Sequence, residues 1–459
     1  MTAQKSAQLK RIAFFMACAF ATSAPVYAQV FNAGDLVISI SGNGNNSGTY
    51  GDNQASPIVL EDVTTSGNIV SQLTLPQNNY TNSNGTLEYA ISGEYGSSSE
   101  GSLQLSADGQ SLVIAGYNVN AVAWNAATAN ATNAYGTQAL AQTSSILGGS
   151  VTPVARVIAD INANGTVDTS TALYGVFNTN NPRSVSTVNG SSFYIAGQGV
   201  KGDTTQGLFI AQDGASTATA ISNATDMRTA EIYNGQLYVS TDSKQTGATG
   251  TSKGSANIAV YGSTLPTGAT TPTVLAGISN SVTLTSSANG INAAGTVNLS
   301  PENFFFANAN TMYVADGGAP KQGGLGDGGL QKWSFNGSTW VLDYTLSAGL
   351  NLVANTAASG TTGLIGLTGK VVGNQVELFT TNSTIGDLNQ TYLYGIDDTL
   401  AATTLPTSES FTVLDTAAAG TNIRGVAFAP VAAVPEPRSY LMLLLGLGLV
   451  AWVARHKKA

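Results

Sequence analysis

Only 17 basic and 26 acidic side chains serve a chain of 459 residues, so the placement of each charge is informative. Arg183, Arg228 and Arg424 stand at the opening of similar short segments, and Glu302 holds the matching place in another. A planar guanidinium offers paired donors to a carboxylate or to sugar hydroxyls. These four residues are therefore read as a ligand-binding set, with the alternative that they pair with acids such as Glu231 or Asp242 and simply hold the fold together.

Other chemistry is short of parts. The one histidine, His456, lies three residues from the chain end, which leaves no histidine base, triad or histidine metal ligand in the body. Paired carboxylates could cleave glycosidic bonds, and Glu94, Glu100, Glu231 and Glu302 are available, but no spacing marks two of them as partners. The stretch "DINANGTVD" places Asp160, Asn162, Asn164 and Asp168 like the oxygen ligands of a calcium loop, yet Thr171 stands where a bidentate acid is needed. A hairpin turn at Asn164-Gly165 explains the same residues. The glycines Gly324, Gly326 and Gly329 spell G-x-G-x-x-G, but "LQKWSF" follows them, a strand rather than the helix a dinucleotide site requires. No catalytic residue, metal or cofactor is expected.

The elements that carry these residues alternate with a period of two. "RSVSTVNGSSFYIAG" from Arg183, "RTAEIYNGQLYVST" from Arg228 and "NFFFANANTMYVAD" from Asn303 each read as strand, tight turn, strand. "SLQLSADGQSLVIAG" from Ser102 reads the same way, and "GLIGLTGKVVGNQVELFT" from Gly363 is a looser copy. A second hairpin follows each, as in "GLFIAQDGASTATAI" and "GLQKWSFNGSTWVLDYTL". Two hairpins make a four-stranded antiparallel unit, and a series of such units predicts an all-β fold, a β-propeller. Six blades are expected, the last closed by "RGVAFAP" from the C-terminal side with "DLVISIS", "SPIVLED" and "IVSQLTL" from the N-terminal side. A seventh is left open by the unassigned stretch 79–100. Short turns such as Asn189-Gly190, Asn234-Gly235, Asp213-Gly214 and Asn336-Gly337 should share one face, and the longer loops after Tyr117, Gln198, Asp242 and Gly317 the other.

The two ends differ from the body. Lys5, Lys10 and Arg11 precede an apolar run, and Val26-Tyr27-Ala28 offers small residues at the positions a signal peptidase reads, so residues 1–28 read as a signal peptide cleaved after Ala28. Cys18 lies inside that peptide, which leaves the mature chain without a thiol. At the other end the run from Tyr440 to Ala454 would span about 22 Å as a helix. Tyr440 and Trp452 supply interfacial aromatics at its two ends, and Arg455, Lys457 and Lys458 hold the tail on the cytoplasmic side of an inner membrane.

Val434-Pro435-Glu436-Pro437, then an apolar segment, then a basic terminus resembles the PEP-CTERM sorting signal of Gram-negative bacteria. The resemblance implies a temporary anchor cut by an exosortase, after which the body reaches the cell surface or an exopolysaccharide matrix. His456 departs from a tail that is often pure arginine. The expected organisation is thus signal peptide 1–28, propeller body 29–430 and sorting segment 431–459.

Processing changes the charge. Three cations leave with the signal and four with the tail, leaving ten against some 25 acids and a net charge of roughly −15, which disfavours nucleic acid and anionic lipid. The expected protein is an exported, non-enzymatic one whose partners are signal peptidase, exosortase, the inner membrane in passing, and exopolysaccharide or a surface protein. The alternative is a carboxylate-dependent glycoside hydrolase on the same scaffold.

Overall fold

The computed structural model describes residues 30–42, 50–127, 139–200, 202–242, 255–284, 295–318 and 324–432. Ala28 and the rest of the signal peptide lie outside these residues, as do Val434 to Pro437, Tyr440, Trp452, Arg455, Lys457 and Lys458. Among the described residues no helix is long and apolar enough to cross a membrane.

Alternating runs become strands, and turn chemistry sets their pairing. At Asn234-Gly235 both residues have positive φ, 48° and 74°, the backbone of a two-residue type I′ hairpin turn between Tyr233 and Gln236. Antiparallel hairpins build four separate four-stranded sheets. The first runs Pro182–Thr187, Ser192–Gly197, Gly207–Gln212, Thr219–Ser222. The second runs Ala230–Tyr233, Gln236–Asp242, Ala256–Tyr261, Thr273–Ser279. The third comprises Pro301–Asn308, Thr311–Asp316, Gly329–Phe335 and Trp340–Leu346, and the fourth Thr361–Val372, Gln375–Thr384, Tyr392–Thr399 and Thr412–Thr416.

A ten-stranded sheet contains two further sets. In one, Thr421–Phe428 pairs with Leu36–Gly42, which pairs with Ala55–Val63 and then Ile69–Thr74, so the two ends of the body meet as neighbouring strands. That pairing covers a sheet edge that would otherwise be free. In the other, Gln104–Leu105, Ser111–Tyr117 and Arg156–Asn162 follow in order, with Val167–Asp168 and Ala172–Leu173 both on the last strand. The unassigned stretch 79–100 forms no four-stranded unit. It makes a small hairpin, Tyr80–Thr81 with Leu87–Glu88, and a strand Ser92–Glu94 that stitches Ala55–Pro57 to Tyr117.

The core lies in the seams between neighbouring sheets. Val113, Ile158, Val185 and Phe209 fill one seam, and Tyr194, Leu208, Leu237 and Val239 the next. Ile258, Phe304 and Trp333 follow, then Tyr313, Leu330, Leu364 and Leu378, then Ile38, Phe379 and Ile423. A last cluster with Leu60, Ile114 and Val157 returns to the starting set. The sheets thus surround a common centre lined by their first strands, an all-β, propeller-like arrangement.

Helix is scarce but present: Ala121–Ala126, capped by the Asn120 side chain accepting from the Ala123 amide, and a 3-10 turn Leu140–Gln142 sit in the long connection after Tyr117. The separation of long and short connections is incomplete. Loops 198–206, 243–255 and 317–328 do join second strands to third, but the opposite face also carries connections 262–272 and 400–411.

Candidate functional site

Strand direction brings the openings of the first strands to one mouth of the central channel. Arg183, Arg228, Glu302 and Arg424 come from four different sheets and line one cavity there, with Ser98, Ser99, Glu100, Ser102, Thr229 and Gly366. Its volume is about 30 Å³, room for a water or two.

Each guanidinium is already engaged. Arg183 Nη1 meets Asp226 Oδ2 at 3.0 Å and donates to the Met227 carbonyl, while Nη2 donates to Gln198 Oε1 at 2.7 Å. Arg228 bridges Glu302 at 3.2 Å and Asp242 at 3.5 Å, and donates to Ser99 Oγ. Arg424, 2% exposed, donates only to backbone carbonyls, Gly96 O at 2.6 Å and Asp387 O at 3.4 Å. Among the described residues its Nε and Nη1 find no hydrogen-bond partner, nor do Arg183 Nε and Arg228 Nε. Burial pulls Arg424 down to about 10, although the charges of Asp387 and Glu100 oppose the shift. Burial also lowers Arg183, with the Arg228 charge acting in the same direction. At Arg228 burial acts against the charge, but Glu302, Asp242 and Asp226 outweigh it and the pKa rises.

The sequence-read set therefore converges, and it also pairs with acids. Asp242 is a partner of Arg228, as expected; Glu231 is not a partner of any arginine. It points from the strand Ala230–Tyr233 into the lower part of the channel, a cavity that the arginines do not line. Asp226, two residues before Arg228, was missed, although its proximity in sequence to a buried cation was a usable signal.

Two of the four available carboxylates come together. The Glu94 amide donates to Glu100 Oε2 at 3.1 Å, and Glu100 also accepts from the Tyr117 hydroxyl and Asn181 Nδ2. Glu94 accepts from the Ala141 amide. Burial first, and then the neighbouring Glu100 charge, push Glu94 up to about 8; burial likewise raises Glu100. Arg156, buried over the Tyr117 ring at 4.7 Å, completes the cluster.

A separate cavity of about 590 Å³ is lined by Gln77, Asn78, Asn79, Asn118, Asn120 and Thr152 among others. Its polar groups are neutral amides and hydroxyls, with Asn120 Nδ2 donating to Asn78 Oδ1 at 3.1 Å. Sequence inspection missed it because its residues come from separate loops.

The remaining motifs resolve as turns. Asn162 Oδ1 and Asn164 Oδ1 both accept from the Thr166 amide, and Asp168 Oδ1 accepts from the Ser170 amide, so the calcium-like loop spends its oxygens on its own backbone. Among the described residues no group of three acidic, histidine or cysteine side chains is disposed to hold a metal. Gly329 opens a strand, and Asp327 accepts from the Gly324 amide within the glycine loop.

No curated protein matches the chain. Among solved structures, a chain from the crystal structure of a nidogen/laminin complex is similar at 10% identity, covering 87% of this chain and 99% of that one, with a TM-score of 0.39. A polysaccharide lyase of family PL25, an ulvan lyase, is similar at 8% identity over 87% and 96%, TM-score 0.36. The β-propeller domain of the Trilobed protease from Pyrococcus furiosus is similar at 8% identity over 75% and 78%, TM-score 0.30. Residues 433–458 match the family model of the PEP-CTERM protein-sorting motif, and the chain therefore carries a PEP-CTERM sorting signal at its C-terminus.

Proposed function

We propose that this is an exported, six-bladed propeller protein, held briefly in the inner membrane, clipped by an exosortase and delivered to the cell surface or an extracellular matrix, where it binds polysaccharide. The PEP-CTERM motif at 433–458 carries the sorting part of this reading. Two features support the binding part. The mouth is a filled arginine–carboxylate lattice with room for water only, so a sugar chain would lie across the separate amide-lined cavity, with Asn78, Asn118 and Asn120 as hydrogen-bond partners for hydroxyls. The body's acidic excess favours neutral over anionic chains.

The sorting reading is tested by the intact mass of the protein recovered outside a producing cell. Loss of the segment after Pro437 is the expected result; a released polypeptide that keeps Tyr440 to Ala459 overturns it. Binding is tested on a glycan array with the released protein and its Asn120→Ala variant. A weakened signal is expected, and an unchanged one removes the amide cavity from consideration.

A second reading, a carboxylate-dependent carbohydrate-active enzyme, is favoured by one observation: Glu94 and Glu100 form a pair with a raised pKa, as a general acid requires. Both are almost fully buried. Turnover of matrix polysaccharide that disappears in Glu100→Gln would establish this reading, and absence of turnover by the unaltered protein would end it.

A further inference from the structure

Along the channel from the arginine mouth lies a cavity of about 230 Å³, lined by first strands of the four four-stranded sheets and by Gln104–Leu105 and Thr421–Phe428 of the ten-stranded sheet. Its wall is mixed: apolar side chains such as Leu105, Phe305 and Leu367 share it with the neutral polar Gln104, Asn303 and Thr368. Gly369 makes this packing feasible, because a Cβ there would sit 2.8 Å from the Phe305 ring. Glu231 is the single ionisable side chain in that wall. Among the described residues no group hydrogen-bonds to it or forms an ion pair with it, and burial alone raises it to about 8.

The charged groups on the strands around Glu231 are committed elsewhere. Arg183 is held by Asp226, Arg228 by Asp242 and Glu302, and Lys370 by Glu377. Arg424 donates upward to Gly96 O, and Asp108, just beyond the lining segment, accepts from Ser106 and Gln110. Tyr238, directly across the ladder, donates to Gln236. A carboxyl in such a place costs stability when ionised, where an apolar side chain would cost nothing.

We propose that this cavity binds a small organic cation with an apolar body, a primary alkyl- or arylammonium ion, with the Glu231 carboxylate as its counter-ion. An ammonium supplies the missing charge and the missing donors together. The phenyl ring of Phe305 adds apolar area and cation–π attraction, whereas the Phe428 ring already carries the Lys370 ammonium at 5.2 Å. The acidic excess of the body draws a cation rather than an anion to the channel. Binding couples to proton release, since the ammonium favours the ionised form of a group that otherwise stays protonated at neutral pH.

The test is titration calorimetry of the full chain in non-ionic detergent, with benzylammonium chloride as probe and benzyl alcohol as its uncharged counterpart. Benzylammonium should bind at least tenfold more tightly than benzyl alcohol, and Glu231→Gln should abolish that preference. Affinity of the unaltered protein should rise about tenfold from pH 6 to pH 7, as a site that must first lose a proton requires. Buffers of different ionisation heat should reveal the released proton. Equal binding of the two probes, equal affinity of Glu231→Gln for benzylammonium, or a pH-independent affinity would each overturn the proposal. The glutamine matches the shape of the protonated acid, and the pH series on the unaltered protein needs no variant.

Discussion

Replacing Asp398 with alanine should be among the most damaging single changes available in this protein. Lys332 and Asp398 are both 0% exposed, and the ammonium meets Oδ2 at 2.7 Å. The Tyr344 hydroxyl donates to Oδ1 at 2.6 Å, and the Tyr313 hydroxyl donates to Oδ2. Burial and the Asp398 charge hold both phenols well above their ordinary range, so they remain donors at any working pH. These contacts join the sheet 301–346 to the sheet 361–416. Removing the carboxylate leaves a buried ammonium hydrogen-bonded to the neutral Tyr344 Oη and Thr399 O, with Glu409 and Asp343 as the acids that still act on it. Stranding one partner of a buried pair costs about 3–5 kcal/mol, and two phenol hydroxyls that lose their acceptor push the loss toward the upper end. Lys332→Met should cost less, because the remaining carboxyl keeps its two phenol donors. The combined Lys332→Met, Asp398→Leu variant should recover at least about 2 kcal/mol relative to the sum of the single losses. Urea unfolding read by the fluorescence of Trp333, fully buried beside Lys332, measures each value. A loss below about 1 kcal/mol in Asp398→Ala, or losses that simply add, would refute this account of the pair.

Stability should fall as pH rises from about 5 to 8. Burial, the largest cause at each, raises Glu94 and Glu231 to about 8, Glu409 to about 7 and Asp160 to about 6. The folded state therefore holds more protons than the unfolded chain across that window, and each such group withdraws stability on ionising; a melting temperature at pH 8 equal to or above that at pH 5 contradicts this. Arg228→Ala should lower stability by about 3 kcal/mol at pH 7, since Asp242 and Glu302 would lose their shared cation. Arg228→Lys should recover only part, because a point charge cannot span both acids; full recovery by lysine in urea melts would show that geometry is irrelevant there. Gly425→Ala should cost about 1–3 kcal/mol, since its Cβ would lie 2.4 Å from the Leu103 amide nitrogen and 2.5 Å from Gly101 O; a melt like that of the unaltered protein would mean those strands can separate freely.

Local chemistry made the hairpins legible. Asn234-Gly235, flanked by alternating runs, specified a tight turn and hence the pairing of Glu231 with Tyr238, because both turn type and side-chain period are properties of a few consecutive residues. The repeat of that pattern placed Arg183, Arg228 and Glu302 at equivalent strand openings, and the terminal strands could be assigned to one sheet because joining them closes the ring and removes a free edge. The sorting signal was equally readable, being a short linear motif. Connection lengths were read less well: 262–272 and 400–411 lie on the face assigned to short turns.

Only the tertiary structure decided who meets whom across the ring. Gly425 donates its amide to Ser39 Oγ across 386 positions of sequence, and Arg424 reaches Gly96 across 328. No period or spacing encodes such a meeting, because it follows from six seams of side chains packing at once. For the same reason the sequence offered Glu231 as a salt-bridge partner while the fold set it in the central channel with no ion-pair partner among the described residues. It also left Glu94 and Glu100 as two separate acids, which the fold set together. A side chain's neighbours along the strand are fixed by the sequence; the dielectric around it, and therefore its charge, is fixed by what the other sheets bring to the centre.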